Sequence, residues 1–296
     1  GPGAAAASRR PAATSRPPMP RPRRSRPGAR ALPLRHAVTL GLLHGPAELL
    51  PVSSSGHITL VPWLAGWPYT ELDPELRKAF EVALHAGTAA ALLIALRDEV
   101  GEAAGDLDRR RLELLAGSFL PPAAVAFTLM GRIERNLGTP GTIAAGLLAG
   151  SALMLAADGR PQRRTREDSR AIDALLLGFA QAAALMPGIS RNGATLAVAR
   201  LRGFTREDAN ALSRHVALPI ITAATVLKGR RLMHRGLPAG TGGAFAAGTA
   251  AAFASTLGST WLIRQVERDR SMAPYAIYRV ALAAVVIRRI WQHRGR

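Results

Sequence analysis

Glu48 is a carboxylate inside an otherwise apolar stretch, VTLGLLHGPAELLPV, and His44 stands four residues before it. Four positions are about one helical turn, so the imidazole and the carboxylate share a face. A carboxylate among apolar residues is costly unless it is paired, binds an ion or faces water. Glu48 is therefore a candidate for chemistry, and with His44 a candidate for holding a metal. Ser53, Ser54, Ser55, Gly56 and His57 follow directly. Serine hydroxyls and the free N–H groups of a turn form a concavity for an anion, and a neighbouring His can act as acid, base or nucleophile toward phosphorus. Such a run also serves simply to cap a helix, so alone it does not separate chemistry from structure.

A second segment supplies what the first lacks. Arg191 is the only charged residue between Asp173 and Arg200, flanked by Ser190, Asn192 and Thr195 on a turn that begins Pro187–Gly188. A guanidinium fork binds phosphate oxygens bidentately, and the residues after Gly193 open a helix whose N–H groups favour anions. A carboxylate, His and Ser from one segment facing Arg, Ser and Thr from the other form a constellation for metal-assisted phosphoryl transfer. Whether Ser54 or His57 attacks stays open at this level.

The elements that must position these groups read as membrane helices. The chain has 296 residues, 48% hydrophobic, with a net charge of +19 and a mean hydropathy of only +0.09. Residues 1–35 contain nine arginines and no acid among Pro, Ala and Ser; without them the net charge falls to +10. That stretch is expected to be a disordered basic tail near anionic headgroups, and residues 36–296 a membrane-embedded domain. The sequence begins at Gly1 rather than Met, which leaves its native start open. Five or six apolar blocks, 79–96, 112–130, 140–157, 212–228, 242–263 and 273–290, have the roughly 17–20 residues needed to cross about 30 Å of hydrocarbon. Charge clusters bound them, which places the arginines in loops and argues against nucleic acid as a partner. The absence of cysteine excludes disulfides and thiol chemistry.

The blocks 38–67 and 175–201, which carry the polar motifs, are interrupted by Pro46, Pro51, the serine run and Gly56, and by Pro187, Gly188 and Gly193. Broken backbone is tolerated at membrane depth only where protein or a wet cavity surrounds it, so both are expected to be re-entrant helical hairpins. They also resemble each other, with Gly, then His44 or Gln181, then Pro51 or Pro187, a Ser-containing turn, and Gly56 or Gly193. Interrupted segments at matching places in two halves indicate an internal repeat with its site at the repeat interface.

AELLPVSSSGH (47–57) and PGISRNGAT (187–195), in this order and separation, resemble the two signature motifs of the undecaprenyl-diphosphate phosphatase family, also called bacitracin-resistance proteins. FEVALHAGT (80–88), SRHVALPI (213–220) and APYAIYRV (273–280) extend the similarity over 37–288. The resemblance implies an all-α polytopic fold of about six transmembrane helices plus two re-entrant helical hairpins in an inverted repeat. It implies a multi-pass enzyme of the bacterial plasma membrane that hydrolyses undecaprenyl (C55 polyprenyl) diphosphate to the monophosphate, recycling the lipid carrier of cell-wall synthesis and giving bacitracin resistance. Carried over by position, Glu48, Ser54, His57 and Arg191 are catalytic. Ser53, Ser55, Ser190, Asn192 and Thr195 bind the diphosphate, and Glu48, with His44 as a further candidate, holds Mg²⁺ or Ca²⁺. The family usually has Glu or Gln at the position of His44, and imidazole suits softer metals than these two, so this departure bears on metal preference. A homodimer is a candidate assembly. The basic tail argues for a cytoplasmic N-terminus, yet arginine-rich loops fall on both sides of a six-span arrangement. The competing reading is a polyprenyl-phosphate transporter or flippase on the same repeat.

Overall fold

The computed structural model describes residues 32–105, 108–235, 240–269 and 271–294. Residues 1–31, most of the expected tail, lie outside them. The described chain is helical, its one β-type pairing an isolated bridge between Arg164 and Phe204. The first half comprises α1 (Leu34–Leu49), α2 (Ser54–Leu64), α3 (Pro74–Ala95), α4 (Arg97–Gly105), α5 (Arg109–Asn136) and α6 (Pro140–Asp158). The second comprises α7 (Ala171–Ala183), α8 (Arg191–Leu201), α9 (Arg206–Arg235), α10 (Gly242–Gly258), α11 (Trp261–Arg268) and α12 (Ala273–Arg294).

The chain is an all-α membrane protein. Helices α3, α5 and α6 are each long and apolar enough to cross a bilayer, and α11 with α12 adds a fourth only if that pair, bent by 108°, is counted as one span. Three or four of the about six expected spans meet that measure. The block 212–228 lies in α9, diluted by Arg214, His215 and Pro219, and 273–290 lies in α12 with Arg279. The block 242–263 divides, because α10 ends at Gly258 and α11 begins at Trp261. Phe127 on α5 is 94% exposed, and Leu120, Ile277 and Trp291 also point outward. In water such faces would form an aggregating patch; hydrocarbon removes that penalty.

Both motif segments are helix–turn–helix units, but their breaks are narrower than their composition suggests. Pro46 lies inside α1, Pro62 inside α2, and Gly56 and Gly193 inside α2 and α8. The chain turns at 50–53 and at 184–190, where Ser53 (φ +78°) and Gly188 (φ +97°) take the left-handed region that no helix continues through. Ser53 is the one described non-glycine residue to do so.

The repeat is visible in the packing. Helix α1 lies along α10 and α7 along α5, so each hairpin rests on a helix of the other half, while α3 meets α9 and α6 meets α12. Gly41 of α1 faces the backbone of Gly248, and Gly178 of α7 that of Gly117; a Cβ at either would run into the facing carbonyl oxygen. Pairing Gly41 with Gly178 also pairs His44 with Gln181, Ser53 with Ser190 and Gly56 with Gly193 without a gap. Pro51 then pairs with Gly188, so the two turn prolines, similar in sequence, stand one residue out of step.

Candidate active site

The N-termini of α2 and α8 converge on Glu48. Ser54, the first residue of α2, donates its Oγ–H to Glu48 Oε2 at 2.5 Å, and Arg191, the first residue of α8, pairs through Nη2 with Glu48 Oε1. Ser54 and Arg191 are equivalent positions of the repeat, so one carboxylate joins the halves. The Glu48 side chain is 9% exposed and that of Arg191 20%. At that burial, removing either charge leaves the other uncompensated, at about 3–5 kcal/mol.

Each turn is built by its serine. Ser53 Oγ accepts from Gly56 N at 3.3 Å and Ser190 Oγ accepts from Gly193 N at 3.2 Å, the N-cap bond in both hairpins. Ser55 Oγ lies 3.4 Å from Ser53 Oγ. Asn192 Nδ2 donates to Leu49 O at 2.8 Å, which ties α8 to the end of α1. Thr195 is fully buried behind α8, its hydroxyl donating to Arg191 O at 2.8 Å and lying 2.6 Å from Ser213 Oγ of α9. Of the nine expected active-site residues, Glu48, Ser54 and Arg191 meet directly. Ser53, Ser190, Asn192 and Thr195 hold the turns that aim them.

His57 is buried one turn beyond Ser54. Its Nδ1–H donates to Ser53 O at 2.7 Å, since a carbonyl only accepts, and Nε2 then accepts from Tyr278 OH at 2.7 Å. The imidazole is thus held as one tautomer, with Tyr278 stacked beside it. No hydrogen bond joins His57 to Glu48 among the described residues.

Arg279 of α12, fully buried, donates to Pro51 O and Gly188 O, both at 3.0 Å, and to Leu147 O at 3.2 Å. It bonds a carbonyl in the turn of each hairpin and has no acidic partner in these bonds. Gly150 leaves room for its guanidinium, and Gly146 lets α6 approach Pro187 O. Sequence reasoning passed over Arg279, although a cation in the middle of an apolar block, well before the Arg288–Arg289 pair at its end, is the same signal that marked Arg191. At the outer end of the second hairpin, Asp173 pairs with Arg164 at 2.6 Å and with Arg202 at 2.6 Å, which closes α7 against α8.

A second group of donors adjoins Glu48. His44, Glu48 and His85 of α3 each offer a ligand atom, all within 4.8 Å of one another. His44 is fully buried, with Nδ1 2.8 Å from Thr88 Oγ1 and Nε2 without a partner. His85 was also passed over, although it is the one imidazole in the apolar run FEVALHAGT. Two imidazoles and a carboxylate fit a divalent cation by donor type.

The family model described as bacitracin resistance protein BacA matches residues 37–285. A curated undecaprenyl-diphosphatase of Geobacter sulfurreducens is 37% identical over 269 residues, covering 86% of this chain and 97% of the relative. Those of Pelobacter propionicus (36%; 86% and 96% covered) and, as undecaprenyl-diphosphatase 2, Frankia casuarinae (34%; 83% and 91% covered) are similar over comparable lengths.

Proposed function

From the premise that this chain belongs to the bacitracin resistance protein BacA family, we propose that it is a membrane phosphatase. It removes the terminal phosphate of undecaprenyl diphosphate and so returns the lipid carrier to cell-wall synthesis. The observation that carries this reading is Glu48 held between Ser54 and Arg191 at the N-termini of two facing half-helices. Helix N-termini favour phosphate through their free N–H groups and dipole. The Arg191 fork has further N–H donors for the terminal phosphoryl oxygens.

Ser54, rather than His57, is the nucleophile in this reading, because its hydroxyl already hydrogen-bonds a base. Its Oγ bonds to the terminal phosphorus as Glu48 takes the hydroxyl proton. The bond from phosphorus to the bridging oxygen breaks, and undecaprenyl phosphate leaves with that electron pair. Water then attacks the phosphorus of the phosphoserine, the bond to Ser54 Oγ breaks, Oγ takes its proton back from Glu48, and phosphate is released. His57, oriented by Ser53 O, takes the proton of that water by way of the Tyr278 hydroxyl, which passes its own proton to Nε2 as it accepts the water's. A divalent cation held by Glu48, His44 and His85 would supply charge neutralisation to the phosphoryl oxygens.

The enzyme belongs in the bacterial plasma membrane, where a lipid-linked carrier is used. A homodimer is supported by exposed small residues every fourth position on α10, Gly242, Ala246 and Ala250, in a groove shared with Ala83 and Ala90 of α3. The test of function is phosphate release from C55 diphosphate by the purified protein in detergent, with and without chelator. Release without any membrane gradient supports the phosphatase. Gradient-dependent lipid movement without release would establish the transporter instead.

A further inference from the structure

We propose that His44, Glu48 and His85 form a site for a borderline divalent transition cation of the Zn²⁺ and Co²⁺ class, in preference to Mg²⁺ or Ca²⁺. The inference rests on the phosphatase reading only for its consequence in catalysis, because the donors are defined by geometry alone.

Two helices supply the site. His44 and Glu48 share a face of α1, and His85 comes from α3, its ring edge-on to that of His44 with centroids 4.5 Å apart. One ligand atom from each of the three lies within 4.8 Å of the others. Metal–nitrogen and metal–oxygen bonds of about 2.0–2.2 Å would draw these atoms closer together around one ion.

The second observation is the state of His44. Its Nδ1 is engaged by Thr88 Oγ1 at 2.8 Å, and Thr88 is in turn bonded by Thr256 Oγ1 at 3.2 Å. With Nδ1–H donating to Thr88, Nε2 carries a lone pair, and that atom is buried without a partner. A buried unpaired nitrogen is costly. A packing role would not need it, since a phenyl ring would fill the same space. A metal-ligating His commonly has this arrangement, one ring nitrogen fixed by an outer hydrogen bond and the other presented to the ion.

The donor set then selects the ion. Mg²⁺ and Ca²⁺ take oxygen ligands almost exclusively, whereas two imidazoles and one carboxylate with positions left open suit Zn²⁺, Co²⁺ and their neighbours. Ser54 and Arg191 need not leave Glu48, because an ionised carboxylate offers about four lone-pair directions. The cation and the Arg191 fork would then flank the same carboxylate from opposite halves of the repeat.

The test uses the full chain, purified without a histidine tag, stripped with chelator and dialysed against Co²⁺. Metal content is measured by mass spectrometry, and visible absorption reports imidazole ligation. We expect about one Co²⁺ per chain, matching the one such donor cluster among the described residues, retained against a large excess of Mg²⁺ or Ca²⁺. Uptake should be lost in His44→Gln and in His85→Gln and weakened about 10–100-fold in Thr88→Val, which removes the outer hydrogen bond. No retained Co²⁺ in the wild type, which needs no variant to fold, would overturn the site. So would equal retention in the His44→Gln/His85→Gln double variant with an unchanged gel-filtration profile, or displacement by Mg²⁺ at comparable concentration. A chain that hydrolyses C55 diphosphate with Mg²⁺ yet takes up no Co²⁺ removes this site and leaves the phosphatase. A chain that binds Co²⁺ and releases no phosphate does the reverse.

Discussion

In the α1–α2 and α7–α8 hairpins the same devices recur: a glycine pressed against a helix of the other half, a left-handed residue in the turn, and a serine capping the second arm onto a glycine three residues later. The groups presented by that shared frame differ at almost every chemical position. The first hairpin has His44, Glu48, Ser54 and His57, and the second has Gln181, Leu185, Arg191 and Ala194 in their places. Frame residues are alike because helix caps and close helix contacts have few solutions. Site residues diverge because phosphoryl transfer needs a base and a nucleophile on one side of the phosphorus and a cationic clamp on the other. Two copies of either hairpin alone would bring together like charges or none.

The comparison breaks most sharply at the two equivalent first residues, Ser54 and Arg191. Ser54→Ala removes the proposed nucleophile and should lower kcat by about 10³-fold or more, with KM little changed. A loss below tenfold would return the attacking role to His57. Arg191→Lys keeps the charge and loses the fork, so phosphate release should fall by about 10²-fold. Thermal unfolding should stay close to wild type, since Glu48 keeps a cationic partner. Near wild-type turnover in that variant would take Arg191 out of the site.

Arg279→Lys probes what the two turns share. A single ammonium cannot serve Pro51 O and Gly188 O together, and a buried carbonyl left unpaired costs about 1–3 kcal/mol. Stability should therefore drop more than in Arg191→Lys and activity less, the opposite ranking. Equal stability of the two variants would show that Arg279 does not hold the turns. The smallest effects belong to the caps. Ser53→Ala and Ser190→Ala should each cost about 1 kcal/mol of stability, measured by thermal unfolding in detergent. Turnover should fall by similar small factors in the two, because the oxygen that orients His57 is the backbone carbonyl of Ser53, which the substitution leaves in place. A much larger loss of turnover in Ser53→Ala than in Ser190→Ala would mean that the Ser53 hydroxyl does more than cap α2.

Much of this was legible in the chain. Glu48 and Arg191 are conspicuous because charge in an apolar run is expensive wherever it lies, and the two broken segments follow from backbone hydrogen bonding in hydrocarbon. The spacing of His44 to Glu48 correctly set them on one face. Other inferences from composition were too coarse. Proline does not by itself end a helix, as Pro46 and Pro62 show, and a composition rich in hydroxyls does not reveal that those of Ser53, Ser190 and Thr195 also bond within the turns and to α9.

The sequence by itself determined the all-α membrane class, the internal repeat and which residues are too polar for their surroundings, because burial cost and helical periodicity act within a few turns of chain. Tertiary structure alone decided which of those residues meet. Glu48 reaches Arg191 143 residues on, His57 reaches Tyr278 221 residues on, and Arg279 reaches turns 228 and 91 residues before it. Those contacts depend on α1 crossing to α10 and α7 to α5, a choice set by the fit of small residues on facing helices, which no local pattern encodes.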